Sequence, residues 1–193
     1  MDEYAKRGYL LENFRLFHLR TEKTAQVDFH YHEFCKLLLL VSGQGAYAVD
    51  GQRYLLQPGD AVLIGSRSVH RPELDQNYAY ERIIIYISPE FLRRESAEGC
   101  DLERIFSGER GHILRLEEPD RRKLVQLVSR LEQELSGDAY GRVILCNGML
   151  LVISLFEAAK NGNMTAIREI LSLLEKGSPD GQEVLIIDDI STE

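Results

Sequence analysis

The sequence is short of cysteine, with Cys35, Cys100 and Cys146 the three thiols in 193 residues. Their odd number and irregular spacing argue against a disulfide framework and against a four-cysteine zinc site. Unpaired cysteines are typical of proteins in a reducing compartment, so we expect a cytoplasmic protein.

Basic residues are also in short supply. Lysine and arginine number 23 against 31 aspartate and glutamate residues, which gives a formal net charge of -8. A phosphate backbone is bound through positive charge, so this balance has the wrong sign for a nucleic-acid-binding surface. We expect this chain by itself to bind DNA poorly.

Long apolar runs are missing. The N-terminus is charged where a signal peptide would carry its apolar stretch, and no apolar run approaches the roughly 20 residues that a bilayer requires. We therefore expect neither export nor a membrane anchor. With 44% hydrophobic and 28% charged residues, the composition is that of a folded protein with one core and, at this length, a small helical appendage.

Up to about residue 88 the pattern favours β-structure, with short apolar runs separated by turn dipeptides. Asp50-Gly51 lies between two such runs, 46–49 and 53–56, and predicts a two-residue hairpin. Pro58-Gly59 predicts a type II turn before a strand at 61–64. Two further strands are expected at 69–74 and 80–87.

After Pro89 the apolar spacing changes to three and four residues, which is typical of amphipathic helices. One helix carries a stripe of Leu124, Leu127, Val128, Leu131 and Leu135. A second helix, over 140–159, is apolar on more than one face. A third is expected over 165–176. Since a small barrel can cover only one side, we expect the second helix to contact a second copy of the chain, giving a homodimer through residues 119–160.

Histidine is the residue type with the most informative placement. In a strand, His30, His32 and Lys36 share one face, and His70 can meet them from a neighbouring strand. Two imidazoles of this spacing can begin a metal site, whereas histidines bonded to backbone carbonyls would be structural. We expect the three histidines to face a common cavity.

This spacing, together with Gly43, Gly59 and position 65, resembles the two motifs of the cupin superfamily. Metal-dependent cupins carry a glutamate where this sequence has Lys36, and usually Pro and Gly where Gly65 and Arg67 stand. A cation beside imidazoles repels a divalent metal, and the missing carboxylate removes a ligand. We therefore predict no cofactor and no metal, with His30, His32 and His70 as the ligands if one binds.

Four longer stretches resemble the N-terminal sensor part of AraC-family transcription regulators, namely YAKRGYL at 4–10, ENFRLFH at 12–18, HYH at 30–32 and YERIIIYISPEFL at 80–92. The resemblance implies an α+β fold, a cupin-like β-barrel of the jelly-roll type followed by a helical hairpin and a short extra helix. It divides the chain into an N-terminal arm (1–13), a barrel (14–92), a helical dimerisation region (93–162), and a linker with the start of a truncated helix-turn-helix domain (163–193). DNA would be contacted only through that missing C-terminal domain.

Three functions remain open at this point. The first is a non-enzymatic regulatory module that binds a sugar or a small acid and controls DNA binding. The second is a metal-dependent cupin enzyme acting on a similar compound, and the third is a dimerisation module without a ligand. For the first, the expected ligand-binding residues are His30, His32, Lys36, His70, Tyr47 and Tyr54. Lys36 suits a carboxylate, a phosphate or hydroxyls, while Tyr47 and Tyr54 suit stacking on a sugar or packing in the core.

Overall fold

The structure is a computed structural model that describes most of the first 118 residues and scattered helical and turn positions after them. The described residues are 5–22, 27–75, 77–96, 101–109, 111–118, 121, 122, 125, 126, 128, 129, 133, 148, 152, 153, 158, 161 and 162. The extra helix expected over 165–176, the domain start expected over 163–193 and most of the region 119–160 lie outside these residues.

The described fold is a cupin-like β-sandwich of two five-stranded sheets. Its strands are β1 (Ala5–Lys6), β2 (Phe14–Thr21), β3 (His30–Tyr31), β4 (Cys35–Ser42), β5 (Gly45–Val49), β6 (Gln52–Leu56), β7 (Asp60–Ile64), β8 (His70–Leu74), β9 (Tyr80–Ile87) and β10 (Ile113–Arg115). One sheet has the order β1-β3-β8-β5-β6 and the other the order β10-β7-β4-β9-β2. Apart from the parallel β1–β3 contact, neighbouring strands are antiparallel. Two such sheets packed face to face form a β-sandwich.

The predicted turns are confirmed. Asp50 and Gly51 have φ values of 47° and 80°, and β5 and β6 pair in register on either side of them. Positive φ at both central positions is what a two-residue hairpin of this type requires. Gly59 has a φ of 94°, and the amide of Asp60 donates to the carbonyl of Gln57 at 2.9 Å, which closes the turn into β7.

Strand β4 lies in the middle of its sheet and is covered on both faces. Its odd-numbered residues Leu37 and Leu39 pack in a core with Phe91 and Phe106, while Leu38 and Leu40 pack in a second core between the sheets. A continuous apolar run is what such a doubly covered strand needs. Alternation along β4 therefore directs Lys36, two residues before Leu38, toward the space between the sheets.

The prediction that His30, His32 and Lys36 lie along one strand is wrong. Strand β3 ends at Tyr31 and β4 begins at Cys35, and the two strands belong to different sheets. The chain crosses from one sheet to the other at residues 32–34. The side chains still meet, because both sheets turn their inner faces to the same space.

Helical residues cover the outer face of the second sheet. Helix α1 (Pro89–Glu95) begins with Ser88, whose hydroxyl accepts from the amide of Phe91, and has proline in its first turn. This agrees with the predicted change of period after Pro89. A 3₁₀ turn follows at Arg104–Phe106. Val128, Val152 and Ile153, from the region predicted to form the hairpin, are buried in the core on that outer face.

The sandwich draws residues from outside the range 14–92 expected for the barrel. β10, at Ile113–Arg115, pairs with β7, and β1, from the expected N-terminal arm, pairs with β3. Both strands are too short to leave an alternation pattern in the sequence. None of the helices within the described residues is long and apolar enough to cross a membrane.

An ion pair joins β10 to the start of β7. The Nε and Nη2 atoms of Arg115 each donate to the Asp60 carboxylate at 2.7 Å, and Asp60 is 1% exposed. The Arg115 side chain is half exposed, so replacing it with methionine removes a partly screened cation from a buried carboxylate and should lower the free energy of unfolding by about 2 kcal/mol. Urea denaturation measures the loss.

Arg93→Met is the matched control, because the Arg93–Glu103 pair is largely exposed and exposed pairs contribute about 1 kcal/mol or less. Equal losses for the two variants would contradict the prediction.

Candidate ligand-binding site

Three histidines converge between the two sheets. His30 on β3 lies directly opposite His70 on β8, and their ring centroids are 4.4 Å apart. His32, at the start of the crossing segment, is 4.7 Å from the His70 ring and stacks on Phe34 at 4.0 Å. The expected juxtaposition of the histidines is present, although His32 reaches it from the loop and not from a strand.

Backbone carbonyls determine which nitrogen of each ring carries the proton. The Nδ1 atoms of His30, His32 and His70 lie 2.9, 2.7 and 2.9 Å from the carbonyl oxygens of Asp28, Phe34 and Ser68. A carbonyl oxygen only accepts, so each Nδ1 donates and each Nε2 of the neutral ring is a lone-pair acceptor. The Nε2 atoms of His32 and His70 are buried and have no hydrogen-bond partner among the described residues.

The three rings are held neutral. Burial, and to a smaller extent the nearby charge of Lys36, lowers the pKa of His32 from 6.5 to about 3 and that of His70 to about 2. Burial also lowers the pKa of His30. The cluster therefore offers acceptors and no positive charge of its own at neutral pH.

Lys36 supplies a buried cation beside this cluster. The residue is 7% exposed, and its Nζ atom donates to the Tyr47 hydroxyl at 2.9 Å. Burial lowers its pKa from 10.5 to about 8, a total that includes a smaller opposing effect of Tyr86 and a smaller contribution from the charge of Arg82. At neutral pH Lys36 is still mainly protonated, and within the described residues it has no ion pair.

A cavity of about 250 Å³ opens beside these groups. It is lined by Thr21, Val27, His30, Lys36, Leu38, Tyr47, Pro72, Leu74, Tyr80, Arg82 and Ile84. Of the three histidines, His30 alone is among these lining residues, so the expectation that all three face one cavity is met by His30 only. Tyr54 does not line it either, since its ring lies against His112 at 6.1 Å.

A larger groove of about 890 Å³ includes Arg53, Leu55 and Glu73 of the first sheet and shares Val27, Pro72 and Leu74 with the smaller cavity. None of the six residues predicted to bind a ligand lines it. We therefore take the smaller cavity between the sheets, where buried polar groups converge, as the candidate ligand-binding site.

Sequence reasoning missed Arg82 and Tyr80. Both lie on β9 with Ile84, at alternate positions that point to one face, and Tyr80 and Ile84 belong to the core between the sheets. A charged residue between two inward-facing apolar ones is the signal that identifies Arg82. The Tyr80 hydroxyl is buried without a hydrogen-bond partner among the described residues.

The donor set does not fit a divalent metal well. Three Nε2 acceptors held by Nδ1–carbonyl bonds are typical of metal-binding histidines. However, a lysine ammonium stands where a carboxylate would complete the site, and no group of three His, Cys, Asp or Glu side chains in the described part of the chain is arranged to hold a metal ion.

Comparison with solved structures gives distant resemblances to cupins. A Cupin 2 conserved barrel protein from Salinispora arenicola is 16% identical, with 46% of this chain and 76% of that chain covered and a TM-score of 0.37. An RmlC-like cupin from Shewanella frigidimarina is 19% identical, with 39% and 66% covered and a TM-score of 0.36. A predicted oxalate decarboxylase from Thermotoga maritima is also 19% identical, with 39% and 68% covered and a TM-score of 0.36.

Comparison with curated proteins gives no match. The family described as the AraC-like ligand binding domain matches residues 16–144, two thirds of the chain. This range contains β2 from Leu16 onward, every strand from β3 to β10, the histidine cluster and Lys36. It agrees with the resemblance found in the sequence stretches. The chain belongs to the family of AraC-like ligand binding domains.

Proposed function

We propose that this chain is the effector-sensing and dimerisation module of an AraC-type transcription regulator and is not an enzyme. A small molecule, a sugar or a small acid, binds between the sheets. The observation that carries the proposal is the buried Lys36 ammonium, which has no carboxylate partner among the described residues and lines a cavity. A buried charge without a partner is costly, and a ligand that pairs with it relieves that cost.

Ligand binding regulates only if it favours one arrangement of the module over another. With a net charge of -8, the chain itself is a poor DNA ligand, so DNA is contacted through a C-terminal domain outside these residues. Cys35, a free and buried thiol, agrees with a cytoplasmic location.

The module should be a homodimer through residues 119–160, because one barrel cannot cover every apolar face of this region. Sedimentation equilibrium at micromolar concentration should give twice the mass of the chain. A monomeric mass would refute the dimer.

Control of DNA binding is tested separately by fusing the chain to a monomeric DNA-binding domain whose operator requires two copies. Repression of a reporter should depend on the fused chain and should respond to its effector. Repression no greater than with the unfused domain would refute the regulatory role. The comparison of the fused with the unfused DNA-binding domain can be made before the effector is known.

A metal-dependent cupin enzyme is the second candidate function. The buried Nε2 atoms of His32 and His70, which have no partner among the described residues, favour it, and Lys36 opposes it. Metal analysis of the purified chain decides between them. One equivalent of iron, manganese or zinc that is lost in His32→Gln would support the enzyme, whereas a metal-free chain supports the sensor.

A further inference from the structure

Among the described residues, the lining of the cavity between the sheets has two cations and no acid. Lys36 reaches it from β4 and Arg82 from β9. No carboxylate of the described residues lies within ion-pair distance of either cation, whereas exposed arginines such as Arg53 are paired with acids. The sequence as a whole has an excess of acidic residues, so an acid-free pair of cations is a local feature of this space.

Arg82 is held in place without being neutralised. Its Nη1 atom donates to the Thr21 hydroxyl and, at 3.3 Å, to the carbonyl of Tyr80, and its guanidinium lies 4.7 Å from the Tyr80 ring centroid. These are uncharged partners. The guanidinium is thus oriented, keeps its charge, and has further N–H groups available for a carboxylate.

Two phenols extend the polar side of the cavity. The Tyr47 hydroxyl accepts from Lys36 and keeps its own proton to donate. The Tyr80 hydroxyl is buried without a partner among the described residues. Burial raises the pKa of both phenols, so both remain neutral donors. A buried hydroxyl without a partner is costly, and a ligand oxygen would relieve that cost.

The rest of the lining is largely apolar. Five aliphatic residues, Val27, Leu38, Pro72, Leu74 and Ile84, are joined there by the polar side chains of Thr21 and His30. The volume of about 250 Å³ equals that of about eight water molecules at roughly 30 Å³ each, which admits a compound with a single ring or a short chain. A sugar carries hydroxyls on all sides and would bury some of them against this wall unpaired.

We propose that the effector is a small organic acid whose carboxylate is bound by Lys36 and Arg82 and whose apolar body packs on the aliphatic wall. The Tyr47 and Tyr80 hydroxyls donate to the carboxylate. This inference rests on the proposed function, because it identifies the chemical class of the effector. A few oriented polar groups in an otherwise apolar pocket are the usual composition of a specific small-molecule site.

Calorimetric titration of the full chain with benzoate, cyclohexanecarboxylate, phenylacetate and hexanoate tests the proposal, each acid being compared with its neutral amide. We expect at least one acid to bind and its amide to bind about 30-fold or more weakly, since the amide loses charge-assisted hydrogen bonds. Phenyl phosphate is included to distinguish a carboxylate site from a phosphate site.

Two variants and one control locate the binding. Lys36→Met and Arg82→Gln should each weaken binding of the acid about 30-fold or more, while Arg53→Gln, at a residue that does not line the cavity, should leave the affinity unchanged. Circular dichroism confirms that each variant is folded. Two substitutions on different strands keep the test decisive if one of them fails to fold.

The proposal is overturned if no acid binds, if the amides bind equally well, if phenyl phosphate alone binds, or if neither folded variant weakens binding. The reporter fusion separates this failure from failure of the proposed function. If repression requires the fused chain but no acid binds, the acid effector is rejected and the proposed function is retained. If an acid binds but does not change repression, the regulatory role is rejected and the acid-binding site is retained.

Discussion

Lys36→Met should raise the free energy of unfolding of the ligand-free protein by about 2 kcal/mol at pH 7. Burial lowers the ammonium pKa from 10.5 to about 8, so the folded state keeps this charge at a cost of about 3 kcal/mol, at 1.36 kcal/mol for each pKa unit. Methionine removes that cost. It also leaves the Tyr47 hydroxyl without the donor it has at 2.9 Å, which offsets about 1 kcal/mol.

The pH dependence identifies the cause of this stabilisation. The folded pKa is about 8 and the unfolded value 10.5, so between these values the unfolded state binds more protons. In the parent chain the titration of Lys36 therefore makes the free energy of unfolding rise with pH in this window. The Lys36→Met protein lacks this contribution. Above about pH 10.5 the lysine is neutral in both states, and the parent chain should become the more stable one by about 1 kcal/mol.

Urea denaturation at several pH values between 7 and 11 measures the difference between the two proteins. Other lysines and tyrosines titrate in this range but cancel in the comparison. Lys6→Met is the control, because Lys6 pairs with Glu33 at the surface and its replacement should change stability little. A Lys36→Met protein that is less stable than its parent at pH 7 would show that the ammonium is already compensated.

Acidification should destabilise the protein steeply below pH 6.5 through the buried histidines. Burial, with a further contribution from Lys36, lowers the pKa of His32 to about 3 and that of His70 to about 2, from 6.5 in the unfolded chain. Below pH 6.5 these histidines are protonated in the unfolded state but remain neutral in the folded state. The free energy of unfolding therefore falls as the pH falls toward 3. Two units below 6.5, the two histidines together contribute a loss of about 5 kcal/mol.

This loss is comparable with the whole stability of many domains. It is measured by urea denaturation between pH 7.5 and 4.5 in the presence of a chelator. His70→Gln should flatten the slope below pH 6.5, because glutamine does not titrate there. Identical slopes for the parent and His70→Gln proteins would show that His70 does not carry the effect.

Lys36→Met provides a second, independent test of the same cluster. The Lys36 charge lowers the pKa of all three histidines, so its removal should raise those values and reduce the loss of stability in acid. The midpoint of acid unfolding should therefore move to lower pH. A midpoint that moves to higher pH would contradict the electrostatic coupling between the lysine and the histidines.

Local structure was predictable where a single short segment decides it. Asp50-Gly51 predicts its hairpin because both central positions need positive φ, and the observed φ values are positive. The strand that ends at Ile64 follows from its short apolar run, and the helix after Ser88 follows from the helical spacing of apolar residues. β1 and β10 were missed, because two or three residues are too few to show a period.

The site was predictable in part. The sequence indicated that His30, His32, Lys36 and His70 would meet, but for the first three it relied on a single strand that does not exist, since the chain changes sheets at residues 32–34. Their convergence depends on two sheets facing each other. Arg82 and Tyr80 come from β9, more than forty positions along the chain from Lys36, and no spacing within one segment connects them to it.

Residue types and their local order are sufficient for the turns, the strands around them, the family and the presence of inward-facing histidines, since each of these depends on neighbours along the chain or on recognisable stretches. The packing of one sheet on the other places Lys36 and Arg82 in one cavity and leaves Tyr54 outside it. Within the described part of the chain, the cavity has no acid and the buried Nε2 atoms of His32 and His70 have no partners. These properties depend on contacts between distant segments. The shifted pKa values follow from the same packing, because desolvation is a property of the assembled interior.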